Sequence, residues 1–138
     1  MASRGRAIRG YQDLEVWQKA MDLVVEISRL RRSLPSDERY GLTSQLRRAA
    51  VSVPSNIAEG RGRFGLGGFL YHLSVANGSL GELETQLLIS ERLGYLDQEN
   101  RQVFDRTAEV HRLLAGMVRA LRTKQAAAVT RKPIANSR

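Results

Sequence analysis

The segment EGRGRFGLGGF, residues 59–69, spaces Gly60, Gly62 and Gly65 as in a dinucleotide-binding loop, where glycines let the backbone close on a pyrophosphate at the start of a helix. That chemistry needs a strand directly before the first glycine. The preceding LRRAAVSVPSNIAEG instead puts Leu46, Ala49, Ala50, Val53 and Ile57 on one helical stripe, and the alternation in AVSVP lasts only as long as one short strand. A lone strand in an otherwise helical chain would leave its backbone groups unpaired. The three glycines are therefore read as a corner between two helices. Gly62-Arg63-Phe64-Gly65 also imitates the backbone clamp of a KH domain, and fails for the same reason, since that module needs a sheet.

Other chemistry is scarcer still. Glu82 and Glu84 resemble an acid and base pair, but residues two apart on a helix point to different faces; one of them is expected to balance Arg47 or Arg48 across the packing of two helices. His72 and His111 are expected at helix flanks, and there is no cysteine to supply a thiolate or a disulfide. No nucleophile, base and oxyanion donor can be assembled, so no catalytic activity, metal or cofactor is expected. The start, MASRGRAIRGYQDLEVW, has charge but no apolar stretch, and no apolar run approaches the length of a membrane span. A soluble, cytoplasmic protein without a membrane partner is the expectation.

Four amphipathic segments have to position whatever the chain presents. Residues 14–34 place Leu14, Trp17, Met21, Val24, Ile27 and Leu34 at three- and four-residue steps, with Asp13 as the expected N-cap and Pro35 as the stop. Residues 43–61 form the second segment, read as one helix bent near Pro54, whose ring removes a backbone donor and crowds the carbonyl one turn earlier. From Phe69 the third steps through Leu73, Ala76, Leu80, Leu83 and Leu87 to a cap at Gly94, and Asp97 is expected to cap the fourth, which steps from Val103 to Leu121. The fold class expected is all-α, an antiparallel up-down-up-down four-helix bundle.

The 138 residues carry 22 basic and 14 acidic side chains, a net charge of +8, and suffice for one domain. The excess sits at the ends. Residues 1–10 hold Arg4, Arg6 and Arg9, and residues 122–138 hold Arg122, Lys124, Arg131, Lys132 and Arg138, with no acid in either segment. Residues 11–121 hold 14 basic and 14 acidic groups. The reading is a neutral bundle over 11–121 between two flexible basic tails, 1–10 and 122–138, that would carry most of any contact with a nucleic acid.

YQDLEVWQKAMDL, ERYGLTSQLRRAAVSVPSNIAEGRGR and NGSLGELETQLLISERLGYL, in this order and spacing, resemble the four-helix-bundle proteins named after intervening sequences in large-subunit rRNA genes. The likeness runs from Tyr11 to Leu121. It implies an antiparallel bundle, assembly into a homopentameric ring, and a link to rRNA without an established catalytic activity. One departure is FGLGGF, where the family has a Ser-x-x-Glu or Ser-x-x-Asp cap; a frayed start to the third helix and a mobile corner are expected here.

Three sets of residues stand out as candidate surfaces. Arg48, Ser52, Asn56, Glu59 and Arg63 form a polar stripe on the second helix, read either as a solvated face with local ion pairing or as a ligand or subunit surface. Ser74, Gly78, Gly81 and Thr85 form a small-residue stripe on the third, where two mid-helix glycines imply close packing by a helix of the same bundle or by a neighbouring subunit. Arg4, Arg6, Arg9, Arg47, Arg61, Arg122, Lys124, Arg131 and Lys132 are the candidate nucleic-acid contacts. The function expected is a non-enzymatic, self-assembling binding or scaffold module associated with RNA or ribosomal components. The alternative is a protein-interaction ring with no nucleic-acid role.

Overall fold

Apolar residues at three- and four-residue steps become four α-helices in the computed structural model, which describes residues 10–62 and 65–131: α1 Glu15–Arg29, α2 Leu42–Arg61, α3 Leu66–Arg92 and α4 Gln102–Arg131. Among the described residues there is no strand, and the helix pairs in contact are α1–α2, α2–α3, α3–α4 and α4–α1. Sequence neighbours joined by short connections pack antiparallel, and α4 closes the ring of helices against α1. The result is the up-down-up-down bundle that the spacing predicts.

The stripes meet along the bundle axis. Leu23 and Ile27 of α1, Leu46, Val53 and Ile57 of α2, Leu73, Leu80, Leu83 and Leu87 of α3, and Val103, Val110 and Leu114 of α4 are all buried. Each such leucine or isoleucine contributes about 1.5–3 kcal/mol relative to an exposed side chain. Tyr11 and Trp17 close one end, ring edge to ring face at 5.3 Å between centroids, partly buried against the same core.

The helix ends show how far local signals carry. Gly94, at φ +82°, ends α3 in the left-handed conformation, with Tyr95 N–H on Ser90 C=O at 3.0 Å and Gly94 N–H on Glu91 C=O at 3.0 Å. This is the paired hydrogen-bond pattern of a glycine-terminated helix. Other caps fall elsewhere than expected. The first N-cap falls on Leu14, because Tyr11–Asp13 already winds into a 3₁₀ turn, and Asp97 caps the 3₁₀ turn Gln98–Asn100 that leads into α4 rather than α4 itself. α1 yields at Leu30 to a 3₁₀ turn, Leu30–Arg32, ahead of Pro35.

At the start of α2 the cap comes from upstream. Glu38 Oε1 accepts from Leu42 N–H at 3.0 Å, while its Oε2 accepts from the Tyr95 hydroxyl at 3.1 Å. That bond to a carboxylate raises the Tyr95 pKa above the usual tyrosine value. One acidic side chain thus holds the start of α2 to the α3–α4 connection.

α2 runs continuously through buried Pro54, as expected of a proline inside a helix rather than at its end. α3 starts at Leu66, three residues before Phe69, with Gly65 at φ +90° and no side-chain cap hydrogen bond. Arg63 and Phe64, in the corner itself, lie outside the described residues. α4 outruns its expected end: it continues to Arg131, so the boundary at Leu121 marks where burial stops, not where the helix stops. Residues 122–131 include Lys124, Gln125 and three alanines, good helix formers that need no packing to favour this conformation. Residues 1–9 and 132–138, the rest of the two expected tails, lie outside the described residues.

Gly60 marks the closest approach of α2 to α3. A Cβ added there would lie 2.7 Å from His72 Cβ and 3.1 Å from Phe69 Cδ1. Gly60→Ala should therefore force the helices apart and lower stability by about 1–3 kcal/mol in urea unfolding. Gly78→Ala, where an added Cβ meets nothing within 4 Å, should raise the stability of the isolated chain by up to about 1 kcal/mol. Pro54→Ala should keep or increase the helical circular dichroism signal, because it restores a backbone donor.

Candidate functional site

The polar stripe of α2 faces α3. Ser52 and Asn56 are partly buried, and Arg48 and Glu59 are exposed at its edge. Asn56 Nδ2 donates to Ser52 Oγ at 3.1 Å and to Ser52 C=O at 2.9 Å, which turns Asn56 Oδ1 toward His72 Nδ1 at 3.1 Å. Oδ1 only accepts, so Nδ1 carries the proton. Ser52 Oγ lies 2.7 Å from Ser79 Oγ, and His72 Nε2 faces Glu59 Oε2 at 3.9 Å. A connected polar seam thus runs from Ser79 through Ser52 and Asn56 to His72.

At its centre the stripe packs on α3: Ser52 and Asn56 are partly buried and hydrogen-bond to each other, to Ser79 and to His72. Their position mid-helix is explained by partners on the neighbouring helix. Arg63 lies outside the described residues. Above the seam, Arg48, Glu82 and Gln86 share a cleft of about 480 Å³. Glu82 is thus the acid on the side of Arg48, but no ion pair joins them among the described residues. Arg47 points the other way, into a groove beside α1.

The small-residue stripe lies opposite the core. Ser74, Gly78 and Thr85 are exposed and Gly81 is partly so. A Cβ added at Gly78 or Gly81 would meet nothing within 4 Å, so among the described residues no helix of the same chain packs there, against the first of the two readings. Ser74 Oγ donates to Tyr71 C=O and Thr85 Oγ1 to Gly81 C=O, both at 2.9 Å. With both hydroxyls folded back on their own helix, the face offers backbone and methyl surface, bordered by exposed Tyr71, Leu88 and Ile89.

The candidate basic contacts separate into three places. Arg61 and Lys124 line one cleft of about 430 Å³ at the end of the bundle, with Phe69, Met117 and Leu121. Arg122 is exposed on the overhanging part of α4, and Arg131 ends that helix. Arg47 joins the α1–α2 groove, where Arg31, Arg39, Tyr40 and Ser44 also line the walls, residues that reasoning from net charge had passed over. The signal available was local, in RLRRSLPSDERYG, where five of thirteen residues are arginine or tyrosine at the end of an amphipathic helix. Arg4, Arg6, Arg9 and Lys132 lie outside the described residues.

In ligand chemistry the described residues offer little. No group of three or more histidine or carboxylate side chains converges as a metal site, and no helix is long and apolar enough to cross a membrane. His72 is engaged through Nδ1 in holding α2 to α3.

A closed antiparallel four-helix bundle with a polar seam on one side defines the class of protein. A family model described as 23S rRNA-intervening sequence protein matches residues 12–116, and the chain belongs to that family. Among solved structures, the chain is similar to a protein of unknown function from the S23 ribosomal protein family of Bacteroides thetaiotaomicron VPI-5482. The TM-score is 0.69 at 23% identity, over 75% of this chain and 95% of that one. At that identity the likeness establishes the bundle and no more. Among curated proteins, none matches.

Asn56→Ala would leave the His72 Nδ1–H without its acceptor and take one donor from the Ser52 hydroxyl, which keeps Ser79. Stability in urea should fall by about 1–3 kcal/mol. Adding His72→Ala should cost less than the sum of the two single changes, because both remove the same bond.

Proposed function

We propose that this chain is a non-enzymatic, self-assembling four-helix bundle that works as a binding or scaffold module and associates with RNA. The observation that carries the assembly is the outward face of α3. Two glycines in the middle of a 27-residue helix cost about 1 kcal/mol each against alanine. Among the described residues nothing offsets that cost, since both glycines look into open space. A second copy laid against this small-residue face would use the close approach that glycine permits. Five copies is the number implied by the resemblance to ring-forming bundles.

The RNA association draws support from the family description, which names an rRNA intervening sequence, and from basic groups beyond the neutral count of residues 11–121. The non-enzymatic reading draws support from the polar groups themselves: Ser52, Asn56 and His72 satisfy one another between two helices. A protein-interaction ring with no nucleic-acid role is the second reading, favoured by the exposed apolar border of the α3 face at Leu88 and Ile89. Cytoplasmic location is part of the proposal.

Light scattering should give a mass several times 15.4 kDa, with five times the expected value. A monomer at micromolar concentration would exclude the assembly. Gly81→Leu should weaken assembly at undiminished helix content, since leucine is a better helix former than glycine and meets no clash within the chain.

A further inference from the structure

Residues 11–121 are neutral in sum, but their charges are not evenly placed. Arg31, Arg39, Arg47 and Arg48 line a groove of about 820 Å³ over α1 and α2, and no acidic side chain lines it. An adjoining depression of about 370 Å³ shares Ser28, Arg31, Arg47 and Val51 with it and adds Arg29 and Arg32, again without an acid. Six of the 14 basic residues of 11–121 thus gather on one track. All six are exposed, and none makes an ion pair with a described residue.

The fold causes the gathering. Leu30 and Leu34 turn inward at the end of α1, which leaves Arg29, Arg31 and Arg32 outside. Arg47 reaches the same side from α2. Like charges held this close repel, and they are relieved by a ligand that brings several negative charges. The two depressions are continuous, so the matching ligand is extended rather than a single ion.

Tyr40 selects among polyanions. It stands 85% exposed on the rim of the groove, with the Arg39 guanidinium 5.4 Å from its ring centroid. A free aromatic face beside an arginine track is what an unpaired base stacks on while its phosphates follow the cations. Thr43 and Ser44 add hydroxyl donors along the wall. Neighbouring helices stand about 8–10 Å apart, too close to seat a duplex between them. The geometry points to the α1–α2 groove as a binding track for single-stranded RNA, with Arg31, Arg47 and Arg48 on the phosphates and Tyr40 stacked on a base. This rests on the RNA association proposed above and places it on the bundle rather than chiefly on the chain ends.

The test uses the full chain and a fluorescein-labelled 20-nucleotide oligouridine, titrated by fluorescence anisotropy at several salt concentrations. Arg31→Ala/Arg47→Ala/Arg48→Ala should weaken binding and reduce the slope of log affinity against log salt by about two, the value for three lost phosphate contacts on a single strand. Tyr40→Ala should weaken binding about five-fold or more with the slope unchanged. Removing three arginines elsewhere, in Arg92→Ala/Arg112→Ala/Arg119→Ala, should change little. An equal loss in that control, or unchanged binding in the groove variant, overturns the assignment and leaves the RNA with the chain ends or with net charge alone. Loss of assembly in the groove variant by light scattering makes the groove a contact between copies and also overturns it. Polyglutamate competing as well as RNA would make the partner an acidic peptide instead. If the unaltered protein does not bind the oligonucleotide at all, the RNA association itself falls and self-assembly is untouched.

Discussion

At Gly60 the bundle has no room for a methyl group, and much else follows from that contact. A Cβ there would press on His72 Cβ at 2.7 Å, so only glycine lets the last turn of α2 lie against the first turns of α3. Close backbones bring short polar side chains within reach across the interface. Ser52 and Ser79 meet at 2.7 Å, and Asn56 meets the His72 ring. A bulkier pair of helices would have left these groups buried and unpaired, at about 1–3 kcal/mol each. The same approach aligns the leucine seam of α3 with Val53 and Ile57 of α2, all fully buried.

The polar seam also fixes register. Apolar stripes alone tolerate sliding by a turn, since one leucine replaces another in the same groove. A hydrogen-bonded series from Ser79 to His72 is satisfied in one alignment only. On the opposite side of α2, the bond pair at Glu38 does the same for the helix start and the α3–α4 connection. With the core fixed on these two sides, the remaining surfaces become distinct. One is built of small residues along α3, another arginine-lined along α1 and α2, and a third combines Arg61 with Lys124 at the bundle end.

Charge shows how a sum can mislead about a surface. Fourteen positive and fourteen negative groups cancel over residues 11–121, yet a ligand within a Debye length, about 8 Å at physiological salt, sees only the nearest side chains. Six arginines on one track present a positive field there whatever the total.

Four helices, their order and most of the core were determined by the sequence alone, because the three- and four-residue steps of leucine, valine and alanine leave one way to bury an apolar stripe. The glycine cap at Gly94 and the passage of α2 through Pro54 were legible for the same local reason. Asp97 was misplaced by one element because a 3₁₀ turn and an α-helix start with the same cap residues, and Asp13 by one residue because it closes the 3₁₀ turn Tyr11–Asp13. The overhang of α4 was missed because burial was taken as the measure of helix length, whereas alanine-rich residues stay helical unburied. Only the tertiary structure decided what each glycine and each polar residue is for. Gly60 was read as part of a corner and is a packing contact, while Gly78 and Gly81, read as packed by a helix of the same bundle or by a neighbouring subunit, meet no described residue of their own chain. Ser52 and Asn56 found their partners 27 and 16 residues away, on another helix. Those roles depend on the rotation and approach of α2 and α3, which periodicity within either helix does not contain.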